Sequence, residues 1–119
     1  MQRRNHTILV SLLLLGVVVC SFSLLMAGEV KTFEVKADAY KFIPGTITVN
    51  QGDKVIIKAI AVDKDHGFYI KQYKIDQLMP KGQWVTIEFV ADRAGEFTIR
   101  CSKFCGWKHF WMTGKLIVK

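Results

Sequence analysis

The chain has 119 residues, enough for one domain and at most one appendage, and half of them are hydrophobic while 23% are charged, which excludes a disordered or fibrous polymer and a long repeat array. The 17 Lys+Arg against 10 Asp+Glu give a formal charge of +7. Because the basic residues are spread nearly singly along the sequence they form no nucleic-acid footprint, so no nucleic-acid partner is expected and the charge bears on docking between proteins.

Residues 8–27 read ILVSLLLLGVVVCSFSLLMA without a single charge, and at about 1.5 Å per helical residue such a run can cross a bilayer core of about 30 Å. Arg3 and Arg4 precede it, while Glu29 and Lys31 follow with no net positive charge. The positive-inside rule then puts the N-terminus in the cytoplasm and the rest of the chain on the exocytoplasmic side, periplasmic or extracellular. A cleaved signal peptide has a shorter apolar stretch and a small-residue cleavage site, and Leu25-Met26-Ala27 is a poor site. Residues 1–28 are therefore expected to be a retained single-pass anchor to the cell membrane. Cys20 follows Val19 rather than a small residue and reads as an apolar member of that segment, not a lipid attachment site. With Arg3 and Arg4 set aside, the outer domain 29–119 keeps 15 Lys+Arg against 10 Asp+Glu, a net +5.

Along this domain short alternating stretches recur between turn formers: Phe33, Val35 and Ala37; Ile47 and Val49; Val85, Ile87 and Phe89; Phe97 and Ile99. Each predicts a half-buried strand. Val55–Val62 is the more continuous apolar run of a central strand, and Leu116-Ile117-Val118 closes the chain as another. Turns are signalled at Pro44-Gly45, Gln51-Gly52-Asp53, Met79-Pro80-Lys81-Gly82 and Arg93-Ala94-Gly95. No amphipathic helix of ten or more residues follows residue 28, so nothing can cover a parallel sheet, and the predicted fold is an all-β, antiparallel Greek-key sandwich. Up to about residue 100 the pattern fits an immunoglobulin-like module without a site equally well.

The stretch Cys101-Ser102-Lys103-Phe104-Cys105-Gly106-Trp107-Lys108-His109-Phe110-Trp111-Met112 lies between two predicted strands and decides between these readings. Cys101, Cys105, His109 and Met112 offer thiolate, imidazole and thioether, the donor set that Cu(I) prefers. A further donor is expected from a neighbouring strand end, and Asp63-Lys64-Asp65-His66 follows the central strand. Beyond residue 28 the chain has only the histidines His66 and His109 and the cysteines Cys101 and Cys105, and this arrangement uses all of them. The residues alone leave three other readings open: a Cys101–Cys105 disulfide, a structural zinc on two Cys and two His, and a single-copper site on Cys105, His109 and Met112. Met79 matches no ligand position and is expected to be packing. At least two of Phe104, Trp107, Phe110 and Trp111 are expected to pack the rim of the loop, with Trp107 and Trp111 the candidates for an exposed docking surface.

Asp63-x-x-His66, Gly95-Glu96-Phe97, Cys101-x-x-x-Cys105-Gly106-x-x-His109-x-x-Met112 and Gly114 before a final apolar strand together resemble the copper domain of cytochrome c oxidase subunit II, a cupredoxin carrying the binuclear CuA centre. The resemblance covers residues 32–119. It implies that Cys101 and Cys105 bridge two copper ions, that His66 and His109 each cap one, and that Met112 and the backbone carbonyl of Lys103 are weak axial ligands. It also implies a haem-copper oxidase catalytic subunit as partner and an external redox carrier such as a cytochrome c as donor. Tyr40 and Phe42 fall in the segment where related domains keep aromatics near the point where electrons arrive. Lys103 stands where many such subunits carry an acidic residue, and with the domain's net +5 this predicts a donor that is not strongly basic. The other function left open is a free-standing, membrane-tethered cupredoxin carrier or a copper-delivery protein. Nothing points to a hydrolase, since neither a nucleophile elbow nor a phosphate loop is present, and no reaction is catalysed by this chain alone.

Overall fold

The computed structural model describes residues 28–119; the apolar segment 8–27 and Cys20 lie outside the described residues. Within them the alternating stretches become strands β1 (Val30–Asp38), β2 (Lys41–Ile43), β3 (Thr46–Val49), β4 (Lys54–Ala61), β5 (His66–Ile70), β6 (Ile75–Met79), β7 (Trp84–Val90), β8 (Gly95–Arg100) and β9 (Thr113–Val118). They form a four-stranded sheet in the order β2-β1-β4-β7 and a five-stranded sheet in the order β3-β9-β8-β5-β6. The helical pieces are two short 3-10 turns, Lys71–Tyr73 and Trp107–Trp111. Among the described residues no helix is long and apolar enough to cross a membrane.

The predicted core positions face inward. Val35, Ala37, Val55, Ile57, Ala59, Ala61 and Ile87 of one sheet meet Ile47, Val49, Phe68, Ile70, Ile99, Leu116 and Val118 of the other, all buried. Phe42 and Phe68 pack edge to face between them, their ring centroids 5.7 Å apart. At about 1.5–3 kcal/mol for each large apolar side chain withdrawn from water, this two-sided core is the main source of stability. Met79 is fully buried, as packing requires.

Two expectations need correction. The sandwich is not purely antiparallel: β1 pairs parallel to β4 and β3 parallel to β9. The chain leaves the first sheet after β2, lays β3 in the second, and returns to put β4 beside β1. Strands paired after such an excursion are free to run the same way, whereas consecutive hairpin partners are not. Strand β4 does lie centrally between β1 and β7, but its pattern alternates, with Lys54 and Lys58 exposed and Ile56 and Ile60 half-buried, because none of the described residues forms a layer over the outer face.

A carboxylate fixes the end of the sandwich opposite to Cys101. Asp53, buried, accepts the backbone N–H groups of Glu29 at 3.0 Å and Asn50 at 2.8 Å and pairs with Lys31 Nζ at 2.8 Å. The Lys31 hydrogen bond first, then the two N–H groups, outweigh desolvation and hold its pKa down at about 2.

Candidate metal centre

Strand β4 ends at Ala61, where Val62 N–H bonds to the Ala37 carbonyl at 2.9 Å and Gly82 N–H closes on the Ala61 carbonyl at 2.8 Å. The short bend that follows delivers His66 as the first residue of β5, with no exposed surface. Its Nε2 lies 2.7 Å from Asp63 Oδ1. With Nε2–H donated to that carboxylate, Nδ1 keeps its lone pair, and it is turned to Cys101 Sγ at 3.7 Å. Partial burial would raise the Asp63 pKa, but the hydrogen bond from His66 and nearby backbone N–H groups win and hold it below the ordinary carboxylate value.

The loop 101–112 is pinned at its base by the pairing of Arg100 with Thr113. Cys101 N–H then bonds to the Met112 carbonyl at 3.3 Å, Met112 N–H to the His109 carbonyl at 3.1 Å, and His109 N–H to the Gly106 carbonyl at 3.0 Å. Within this frame Cys101 Sγ lies 3.6 Å from Cys105 Sγ, and Cys105 Sγ lies 3.6 Å from His109 Nδ1. Cys101 Sγ also sits 3.1 Å from the Lys103 carbonyl oxygen. Both cysteines are free and buried. Met112 is buried and joins the cluster through its backbone.

The four side-chain donors therefore form a row, His66 Nδ1, Cys101 Sγ, Cys105 Sγ, His109 Nδ1, with steps of 3.7, 3.6 and 3.6 Å. Bonds of about 2.3 Å to sulfur and about 2.0–2.1 Å to imidazole at tetrahedral angles put neighbouring donors roughly 3.6–3.8 Å apart. Each step thus has the spacing of two ligands on one metal. His66, Cys101 and Cys105 form a set with all donor atoms within 4.8 Å of one another, and His109 is outside that set. A single tetrahedral ion needs all four donors mutually adjacent, and the set that lies together here holds three of them. Burial first, and then the adjacent Cys101 sulfur, push the Cys105 thiol up to about 12. A metal bound here would require that proton to leave and would supply the positive charge that the buried thiolates lack.

Two contributions were not apparent from residue type. Gly67, beside His66, has no side chain because the ligand loop lies directly against it: a Cβ there would collide with Ser102 Oγ and come within 2.8 Å of Lys103 N and 2.9 Å of Ser102 N. A glycine inside a strand next to a candidate ligand is the sequence signal for such an approach. Lys64 reaches the loop from the other side of the bend and bonds to the Cys105 carbonyl. The aromatics meet expectation only in part, since Trp107 and Trp111 are exposed as expected but Phe104 and Phe110 are exposed too. Phe104, Trp107, Phe110 and Trp111 are all exposed, Trp107 by 84%, so none is a rim residue packed out of water. Phe104 and Phe110 instead flank the His109 ring, at centroid distances of 5.7 and 5.3 Å. Phe42 lies in the core and Tyr40 is half-buried near the loop.

Residues 9–118 match the family model of the cupredoxin-like domain. Over 88 residues the chain is 33% identical to cytochrome c oxidase subunit 2 of Thermus thermophilus, a match covering 74% of this chain and 65% of that relative. It is 28% identical over 96 residues to nitrous-oxide reductase of Cupriavidus necator, covering 77% of this chain and 15% of that much longer protein. Among solved structures it superposes on a chain of a heme-copper terminal oxidase dimer with a TM-score of 0.69 at 21% identity, covering 98% of this chain and 100% of that one, a likeness of fold.

Proposed function

This chain belongs to the cupredoxin-like domain family, and on that premise we propose that it is an electron-transfer protein with a binuclear copper centre of the CuA type, serving as the electron-receiving subunit of a haem-copper oxidase. The observation that carries the reading is the row of two sulfurs between two imidazole nitrogens in steps of 3.6–3.7 Å. Cys101 and Cys105 would be shared by the two metals, His66 and His109 would each complete one, and Met112 and the Lys103 carbonyl would be the weak outer ligands. Two copper ions held this way supply a one-electron relay in which the charge is spread over both metals.

The protein's part is rigidity and access. Asp63 fixes the His66 ring, the Arg100–Thr113 pairing fixes both ends of the loop, and every donor comes from the chain itself, which leaves no position for a substrate. Phe104, Trp107, Phe110 and Trp111 expose an apolar patch over the His109 side of the centre, the kind of surface on which a transient partner docks. Lys103 and Lys108 are the charged residues of the loop 101–112, which has no acidic residue. The donor in this reading is therefore a carrier, such as a cytochrome c, whose docking face is not strongly basic. Residues 1–28 are the membrane anchor, residues 29–119 the copper domain on the exocytoplasmic side, and the similarity to cytochrome c oxidase subunit 2 supports a haem-copper catalytic subunit as the electron acceptor.

Copper stoichiometry of the full chain in detergent tests the reading. Two coppers per chain are expected, with the second lost in Cys101→Ser. One copper per chain, bound equally well by Cys101→Ser, would overturn it in favour of a single-copper carrier.

A further inference from the structure

The bend between β4 and β5 carries a lysine that the ligand arithmetic does not use. Lys64 Nζ donates to the Cys105 carbonyl oxygen at 3.1 Å and lies 5.5 Å from the centre of the Tyr40 ring. Tyr40 packs against the same loop. Gly106 has φ +129°, and a Cβ on it would collide with Tyr40 Oη and come within 3.2 Å of Tyr40 Cζ. Cys105-Gly106 is thus held between an ammonium group bonded to its carbonyl and a phenol ring seated on its glycine. The neighbouring carboxylates bond other groups, Asp63 to His66 at 2.7 Å and Asp65 to the Lys81 N–H at 2.9 Å, although the Asp63 charge beside His66 still offsets part of the Lys64 field at the centre. The positive charge of Lys64 therefore faces the sulfur-bearing loop without a carboxylate bound to it through either flanking residue.

We propose that Lys64, steadied by the Tyr40 ring, is a positioning and potential-setting residue, which clamps Cys105 in place and raises the reduction potential of the centre. This rests on the copper reading above. The reduced centre carries one more electron than the oxidised one, so a cation bonded to the backbone of a ligand residue favours the reduced form. The hydrogen bond withdraws density from the Cys105 carbonyl in the same sense, and the ring attracts the ammonium by a cation–π contact. Lys64 is itself exposed, so solvent screens part of the effect.

The test is redox titration of the copper-loaded full chain, with copper release to a chelator and the paramagnetic resonance spectrum recorded alongside. In Lys64→Met the reduced-to-oxidised ratio at a fixed applied potential should fall about tenfold, which for one electron is a downward shift of about 59 mV. Copper release should accelerate severalfold. Lys64→Arg should restore the potential. Tyr40→Leu should shift it the same way by less, and the double variant should fall no further than Lys64→Met alone, since both changes remove one clamp. An unchanged potential in Lys64→Met, with a spectrum still shared by two coppers, would overturn this proposal and leave the copper reading standing. Faster release with an unchanged potential would leave only a structural clamp and also overturn it. A wild-type protein without the shared spectrum would remove the reading on which the proposal rests.

Discussion

Replacing Gly67 by alanine probes how the sandwich presents the ligand loop to His66. The added Cβ would meet Ser102 Oγ, which can rotate away, but also Lys103 N at 2.8 Å and Ser102 N at 2.9 Å, which cannot. Ordinary contact begins near 3.4 Å, so the Ser102–Lys103 backbone must retreat by the difference, about 0.6 Å, or β5 must yield by as much. Overpacking of this kind costs about 1–3 kcal/mol, and the smaller unfolded-state entropy of alanine returns about 0.4–1 kcal/mol. Taken at the middle of each range, the net expectation is about 1.3 kcal/mol of destabilisation, a fall in Tm of about 5–10 °C for a domain of this size. Differential scanning of the metal-free chain in detergent reads it directly. Gly45→Ala is the control, since its nearest neighbour would be the Phe42 carbonyl at 3.5 Å, and its Tm should equal that of wild type or exceed it by a few degrees through the same entropy term. Adding Ser102→Ala to Gly67→Ala should recover only part of the loss. Because Cys101 and Lys103 flank the displaced residue, copper affinity should fall with stability. A Gly67→Ala protein as stable as wild type, or one fully rescued by Ser102→Ala, would refute the claim that backbone contact sets this spacing.

Removing the carboxylate behind His66 should weaken the site without unfolding the domain: in Asp63→Ala, copper affinity measured by chelator competition should drop about 10–100-fold, and Asp63→Asn, which keeps an acceptor oxygen, should drop less. Acid stability should follow Asp53, whose pKa is held down at about 2 in the folded chain against an ordinary 3.8. A depressed carboxylate pKa contributes stability that is fully present above the unfolded value and is lost as the pH falls through the folded one, so the Tm of wild type should decline between about pH 4 and pH 2. In Asp53→Asn the Tm should be lower at neutral pH, and the gap to wild type should close across that window; a gap that is constant with pH would contradict the assignment.

The strands that were legible in the sequence are those with one wet face. Phe33-Val35-Ala37, Val85-Ile87-Phe89 and Phe97-Ile99 alternate because their other face meets solvent. Strand β5 was not legible, because His66, Gly67, Phe68 and Ile70 are all buried and Tyr69 is half-buried, which erases the period of two. Its partner β6 went unread with it. The parallel pairings β1–β4 and β3–β9 depend on how two sheets are threaded, which no local pattern records. At the site the opposite holds: His66, Cys101, Cys105 and His109, which the fold brings side by side, stood out because thiol and imidazole are scarce and chemically distinctive. The residues that steady them, Gly67 and Lys64, act through contacts with residues about forty positions away, and nothing in their local sequence announces the partner.

The central claim, that two metals share the sulfurs of Cys101 and Cys105, is tested most directly by the paramagnetic resonance spectrum of the copper-loaded full chain. Hyperfine splitting from one unpaired electron divided equally over two copper nuclei is the predicted result. A splitting from a single copper nucleus, in a chain loaded with all the copper it will take, would contradict the account.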